Sequence, residues 1–309
     1  MEPSEVKDQL GTQSADADNA RAATSAAGVA AAVTPQACPT CGTANGAPGV
    51  AAPPTYVYAL GRIQARFPSP AIEKEFAQVM GRDLDLKGLT DPQALHKVLS
   101  DRHNRYLARR LCWVMTIAGL ETYILVPRDP ADFDLLVESL RATPKPGDLD
   151  VVIGLKGPIA PPEMCNGLMV PIVVFDQIYS FDREALIKAI PKPEKTPAKE
   201  FAPAAEELFD RIMQMTDNAG ATDDHRALNY LAVRYQRIYE AVAEAHARNE
   251  SLTAVEVQPS SLSGTRKIVE VILSFTNRTT DVVSKQFVRV DVTEEFPFLV
   301  TKLSPYYDR

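Results

Sequence analysis

The first 54 residues place the strongest limit on how this 309-residue chain can fold. They contain 15 alanines and a single leucine, Leu10, but no Phe, Tyr, Trp or Ile. Such a segment buries too little apolar surface to offset the conformational entropy lost on folding. We therefore predict a disordered tail over residues 1–54 and assign the folded part of the chain to residues 55–309.

The composition of the whole chain is that of an acidic globular protein. Hydrophobic residues make up 45% of it, and Lys+Arg 33 against Asp+Glu 40 gives a net charge of −7. Because nucleic-acid phosphates are bound by basic surfaces, we expect no nucleic-acid partner. No apolar run reaches the roughly 18 residues of a membrane span, and the start of the chain is acidic rather than basic. We therefore expect a cytoplasmic protein without a membrane partner.

A proline-rich stretch divides the folded part into two units. Residues 191–203 contain four prolines among alternating charges, a composition that favours an extended linker. The linker separates a unit at 55–190 from a second unit at 204–309. The sequence leaves open whether the two units form one body.

Hydrophobic patterning predicts an α+β fold. In the first unit it indicates a mixed α/β arrangement, and in the second a helical pair packed on an antiparallel β-meander. Val269, Val271 and Leu273 alternate with other residues, so we expect each meander strand to bury one face. The predicted strands of the first unit lie at 55–60, 111–117, 122–126, 149–155 and 169–175, and its helices at 70–80, 91–110 and 129–141. The predicted helices of the second unit lie at 203–217 and 224–249, and a turn at 277–281 joins two of its three strands.

Cys38 and Cys41 form a CxxC motif within the predicted tail. Two thiolates at this spacing can hold one zinc ion or form a redox pair, and the alternative is an unliganded pair of thiols. A CxxC supplies half of a tetrahedral zinc site. The other ligands would come from Cys112 and Cys165, from a histidine, or from a second subunit. We expect no disulfide in a reducing compartment, and a buried thiol at Cys112, which lies in an apolar strand.

Three arginines form the most concentrated charge on one predicted helix. Arg102, Arg105 and Arg109 lie at i, i+3 and i+7, so a continuous helix over 91–110 would place them on one face. Such a stripe can hold an acidic peptide or a phosphate. The alternative is a solvated face offset by neighbouring carboxylates.

The common catalytic signatures are absent from the sequence. There is no Gly-x-Ser-x-Gly elbow, no HExxH, no phosphate-binding loop and no GxGxxG after a strand. Carboxylate-based sites leave weaker traces, so an enzyme remains an open alternative.

Ten blocks of the sequence together carry a resemblance to a known family: Tyr56–Ile63, Arg66–Pro68, Glu73–Phe76, Gly119–Leu125, Pro127–Pro130, Val151–Gly154, Lys156–Gly167, Ser263–Lys267, Phe275–Thr280 and Glu295–Tyr307. They resemble the C-terminal domain, of unknown function, of the PatA/PatG family of cyanobactin maturation proteases. The resemblance implies an accessory domain without the subtilisin-like protease that precedes it in the family. No catalytic residue is carried over, because residues 1–54 contain no histidine for an Asp-His-Ser set.

From this resemblance we expect a free-standing, non-catalytic module of a ribosomal-peptide modification pathway. Its partner would be a precursor peptide or a pathway enzyme such as the protease, with Arg102, Arg105, Arg109, Lys156 and Glu163 as candidate contacts. One alternative is a peptide-modifying enzyme with its site in the 156–167 loop. The other alternative is a homodimer organised by zinc at the CxxC motif.

Overall fold

The computed structural model describes residues 54–82, 91–190, 198–215 and 217–307. Residues 1–53 of the predicted tail, with Cys38 and Cys41, and residues 191–197 of the predicted linker lie outside these ranges. No helix in the described part of the chain is both long enough and apolar enough to span a bilayer.

Five strands from the first predicted unit close into a barrel. Their order around the barrel is β1-β2-β3-β5-β4, and β4 pairs with β1 to complete the ring. Neighbouring strands are antiparallel except for β3 and β5, which are parallel. This is the topology of the OB-fold, a five-stranded Greek-key barrel. The strands are β1 (Tyr56–Arg66), β2 (Cys112–Ile117), β3 (Leu120–Pro127), β4 (Asp148–Ile159) and β5 (Pro171–Asp182).

Short helices connect the barrel strands, and one of them corrects a prediction. The helix predicted to continue to about residue 110 ends at Ser100. Asp101 has an extended backbone and its carboxylate accepts a hydrogen bond from the His103 N–H at 3.0 Å, which starts a separate 3₁₀ turn over Arg102–Asn104. The helices are α1 (Pro70–Arg82), α2 (Asp91–Ser100), α3 (Arg105–Ala108), α4 (Phe133–Ser139) and α5 (Arg183–Ala189).

The second part of the chain consists of helices packed on an antiparallel sheet, so the predicted α+β class is confirmed. The strand order in this sheet is β10-β8-β7-β6, and β9 pairs with β8. The helix predicted over 224–249 is interrupted at Tyr235. The hydroxyl of Tyr235 accepts a hydrogen bond from the Leu303 N–H at 3.0 Å. The elements are α6 (Ala198–Met213), α7 (Asp223–Arg234), α8 (Arg237–Ala247), β6 (Glu250–Pro259), β7 (Ile268–Asn277), β8 (Val283–Asp291), β9 (Phe298–Leu299) and β10 (Ser304–Pro305).

The last part of the predicted linker is helical. Helix α6 begins at Ala198 and includes Pro203, so the prediction of an extended chain up to residue 203 was wrong over these residues. Phe201 is 1% exposed and belongs to the main hydrophobic core. Burial of this ring stabilises the helix in spite of the proline.

The two predicted units share one core. Tyr58 and Val151 of the barrel pack in the same cluster as Leu208, Leu231 and Val271 of the second part. Residues Ala52–Arg309 accordingly form a single compact unit. A second cluster fills the barrel itself and includes Trp113, whose indole N–H donates to the Ala108 carbonyl at 2.9 Å.

A disulfide joins Cys112 in β2 to Cys165 in the β4–β5 connection, with Cα atoms 5.6 Å apart. The expectations of a buried thiol at Cys112 and of no disulfide were therefore wrong. This pairing could not be predicted from the sequence, because the two cysteines are 53 positions apart and the barrel brings them together.

Candidate functional site

The prediction of one buried face per strand was wrong for β7, because its outer face, which points away from the helices, is also buried. In β7 the residues of the inner face are buried, but Glu270, Ile272 and Ser274 on the outer face are also at most 6% exposed. The strand pairing places Glu270 between Gln258 of β6 and Arg289 of β8. A row of polar side chains therefore crosses the three strands.

A groove of about 630 Å³ lies over this row. We call it the outer-sheet groove. One wall is aromatic: the rings of Phe287 and Tyr306 meet edge to face with centroids 5.6 Å apart. The rim is apolar and open to solvent, because Leu262 is 57% and Tyr307 80% exposed. The lining also includes Gln258, Pro259, Ser261, Glu270, Arg289 and Pro305.

The floor of the groove is a closed network of polar contacts around Glu270. Its carboxylate accepts hydrogen bonds from the Ser260 hydroxyl at 2.9 Å and from Arg289 Nε at 2.8 Å. The Gln258 amide donates to Glu270 at 3.4 Å and to the Tyr306 hydroxyl at 3.2 Å. These bonds fix the orientation of the side chains beneath the aromatic wall.

The network also keeps Glu270 ionised. Burial alone would raise the pKa of its carboxyl group, but hydrogen bonds from Arg289, Ser260 and Gln258 outweigh burial and lower the pKa below its usual value. The guanidinium of Arg289 in turn lies 4.7 Å from the centroid of the Phe287 ring. The groove therefore offers stacking surfaces above a neutralised ion pair.

The groove combines apolar stacking surfaces with fixed polar groups. Aromatic and proline rings stack on aromatic side chains, while fixed polar groups orient a polar backbone. Aromatic residues and Arg are also enriched where proteins bind one another.

A second cluster of charges lies between β5 and the segment that follows β8. Arg128 Nη2 is 2.8 Å from Asp176 Oδ2 and 3.7 Å from Glu295 Oε2. Burial, together with the neighbouring Asp176 carboxylate, raises the pKa of Glu295 to about 7. The two carboxylates both contact the Arg128 guanidinium where the barrel meets the second sheet, and neither lines the outer-sheet groove.

The predicted arginine stripe does not form a single helical face, because the helix ends at Ser100 and Asp101 caps a separate 3₁₀ turn. Arg102 lies in the 3₁₀ turn, Arg105 in α3 and Arg109 just after α3. Arg105 Nη2 pairs with Asp134 at 2.8 Å, which matches the alternative of a face offset by carboxylates. A binding role for Arg102, Arg105 and Arg109 stays a prediction.

Lys156 and Glu163 lie on different parts of the β4–β5 hairpin. Lys156 is within β4, opposite Val173, and Glu163 is exposed in the turn. The described side chains include no ion pair between these two residues. A site in the 156–167 loop therefore stays a prediction, although its Cys165 is bonded to Cys112.

The zinc motif stays a prediction too. Cys38 and Cys41 are outside the described ranges, and within those ranges no group of three His, Cys, Asp or Glu side chains is arranged to hold a metal ion.

The groove was missed from the sequence, although a partial signal for it was present. Glu270 lies seven residues before the predicted turn at 277–281 and Arg289 lies eight residues after it, so this turn predicts only that the two residues are near each other on neighbouring strands. The observed register places them directly opposite. The positions of Ser260 and Tyr306 carry no such signal, because each reaches the row from a separate loop or strand.

Comparisons with known proteins give one family match and one structural match. Residues 195–306 match the family model described as PatG C-terminal. A solved structure described as "PatG Domain of Unknown Function" superposes with a TM-score of 0.66 and 22% sequence identity, over 82% of this chain and 98% of that chain. No curated protein matches. At this identity the structural likeness establishes a common fold. The family match includes every lining residue of the outer-sheet groove except Tyr307.

Proposed function

The chain contains a PatG C-terminal-like domain, and on that premise we propose that it is an accessory module that binds peptide in the outer-sheet groove. The peptide would be the substrate of a ribosomal-peptide modification pathway. The module would present it to a modifying enzyme without carrying out the chemistry itself.

The observation that carries this proposal is the combination of an exposed apolar rim with a hydrogen-bonded polar floor. Leu262 and Tyr307 remain exposed at the rim, which leaves apolar surface for a ligand to bury. Glu270 and Arg289 are already paired with each other. A ligand can therefore bind over them without leaving a buried charge uncompensated.

The charge of the groove also limits the ligand. The pairing of Arg289 with Glu270 leaves no net charge on the floor, and Lys285 lies 5.9 Å from the Tyr306 ring at one end. We therefore expect an uncharged or weakly acidic peptide that contains proline or aromatic residues, rather than a polyanion.

Calorimetric titration of the full chain with synthetic peptides tests this function. The probes are an eight-residue peptide with two aromatic residues and one proline, and a peptide of equal length in which Ser replaces those three residues. We expect binding of the first peptide only.

Two variants locate the binding. Leu262→Asp places a charge on the groove rim and should weaken binding about tenfold or more, equivalent to about 1.4 kcal/mol. Val282→Asp makes the same kind of change at a residue that is 65% exposed at the other end of the sheet and should leave affinity unchanged. Equal affinity of both variants, or failure of the aromatic peptide to bind, would contradict the proposal.

A further inference from the structure

The connection between β4 and β5 is an internally bonded loop. We call residues 160–170 the covering loop. The Ala160 N–H donates to the Val170 carbonyl at 2.9 Å, and the Gly167 N–H donates to the Pro162 carbonyl at 2.7 Å. Asn166 and Gly167 both have positive φ, at 47° and 86°, which turns the chain back toward β5. The loop thus holds its shape through its own backbone.

This loop packs on the outside of the barrel. In β2 the side chains of Trp113 and Met115 belong to the cluster inside the barrel, while Cys112 and Val114 point outward. The outward side chains form a third apolar cluster, separate from the two larger ones. The strands contribute Cys112, Val114, Ile124 and Ile172, and the covering loop contributes Ala160, Met164, Cys165, Leu168 and Val170.

The disulfide attaches the covering loop covalently to this face. Among the described residues, no hydrogen bond joins the loop to β2 or β3, so apolar contacts and the Cys112–Cys165 bond hold it there. At the base of the loop the β4–β5 register shifts between Lys156 and Ile159. Gly157 and Pro158 therefore lie at an irregularity of the ladder, where a bulged strand bends.

We propose that the Cys112–Cys165 disulfide is a redox-controlled latch that keeps the covering loop closed over the outer face of β2 and β3. A dithiol reductant transfers two electrons and two protons to the latch, which becomes two thiols, while the reductant becomes a disulfide. The loop then pivots at residues 157–158 and uncovers an apolar surface. In OB-fold barrels the β2–β3 face is the one that binds ligands.

Burial sets the speed of this latch. Cys112 is 5% exposed and Cys165 is fully buried, so a thiolate reaches either sulfur only during local fluctuations of the loop around the intact bond. We expect slow reduction, limited by these fluctuations, rather than the rapid exchange of an exposed disulfide.

Hydrogen–deuterium exchange on the full chain tests the latch. Cys38→Ser and Cys41→Ser are introduced first, so that Cys112 and Cys165 are the remaining cysteines. Exchange is compared between the oxidised protein and the dithiothreitol-reduced protein, with complete reduction verified by the mass gain of two hydrogens. We expect exchange in residues 160–170 to rise about tenfold or more on reduction, while β7 and α7 stay unchanged.

A dye and a second variant complete the test. Reduction should increase the fluorescence of 8-anilinonaphthalene-1-sulfonate, which binds exposed apolar surface. Cys112→Ala with Cys165→Ala should show the reduced pattern under oxidising conditions. The latch is overturned if the loop stays equally protected after full reduction, if exchange rises uniformly along the chain, or if the oxidised protein contains two free thiols at these positions.

Discussion

The guanidinium of Arg226, 2% exposed, donates from Nη1 to the carbonyl oxygen of Val292 at 2.7 Å. The same side chain reaches the carbonyl of Glu295 at 3.3 Å and lies 5.3 Å from the ring centroid of Tyr56. One buried cation therefore links α7 to the segment after β8 and to the first barrel strand. Its nearest carboxylate, Asp223, is 3.7 Å away.

Replacement of Arg226 by Met should destabilise the protein strongly. The change leaves buried backbone carbonyls without donors, which we expect to lower the free energy of unfolding by about 3 kcal/mol. The control is Arg237→Met, because Arg237 pairs with Glu240 and Glu244 at the surface, where ion pairs contribute about 0–1 kcal/mol. Urea unfolding of both variants measures the difference, and similar losses would contradict the assignment.

The contact between Glu295 and Asp176 predicts a pH dependence of stability. The pKa of Glu295 is raised to about 7 in the folded protein, first by burial and then by Asp176. Because the folded state holds this proton more tightly than the unfolded state, the stabilising contribution is complete below the ordinary pKa of Glu. It is lost as pH rises through about 7.

Urea midpoints measured between pH 5 and pH 8 check this dependence. Asp150 and Asp224 also have raised pKa values, mainly because of burial, so the informative quantity is the difference between wild type and Glu295→Gln. We expect the variant to lose less stability than wild type as pH rises. Parallel curves would show that Glu295 does not titrate in this range.

Gly220 is required where the loop before α7 meets β1. Its φ is 71°, and its carbonyl accepts a hydrogen bond from the Tyr58 N–H at 2.9 Å. A Cβ at this position would lie 2.7 Å from the Ala59 Cα, so backbone would have to move. We expect Gly220→Ala to lower the free energy of unfolding by about 3 kcal/mol or more.

Gly264→Ala is the matched control for this prediction, because a Cβ there has no atom within 4 Å. We expect it to change stability by about 0.5 kcal/mol at most. Thermal or urea unfolding of the two alanine variants separates the local clash from a general effect of removing glycine.

Local patterns in the sequence predicted the hairpin of β2 and β3 well. Two apolar runs flank Ala118 and Gly119, and both of these residues have positive φ, at 49° and 84°, as a tight turn requires. A helix start was also visible at Asp91–Pro92. By contrast, the end of that helix depended on one side chain, Asp101, which caps the next turn and competes with helix continuation.

Closure of the barrel could not be predicted from these patterns. The spacing of apolar residues shows which face of a strand is buried, but it does not show that Tyr56–Gly61 pairs with β4 or that β3 lies parallel to β5. The Cys112–Cys165 bond follows from that closure and was missed with it. In the groove, the turn between β7 and β8 predicts that Glu270 and Arg289 are near each other but does not fix their register, whereas the approach of Tyr306 depends on how the chain returns after β9.

Closure of the barrel requires β1 to change partners in mid-strand. Gly61 is opposite Asp150 of β4, and the next residue, Arg62, is opposite Thr116 of β2. Just beyond this change the Ile63 N–H is donated to the Asp150 carboxylate at 2.8 Å, and the Ser180 hydroxyl donates to the same carboxylate. Asp150 is 5% exposed, and burial raises the pKa of its carboxyl group.

Asp150→Ala should therefore weaken the barrel where β1 changes partners. The buried Ile63 N–H would lose its acceptor, and we expect the free energy of unfolding to fall by about 2 kcal/mol. The rate of hydrogen–deuterium exchange at the Ile63 amide should rise as well. Ser180→Ala leaves the Ile63 bond intact and should cost about 1 kcal/mol or less without faster exchange at Ile63. Equal effects of the two variants on that amide would show that Asp150 does not hold the strand at this point.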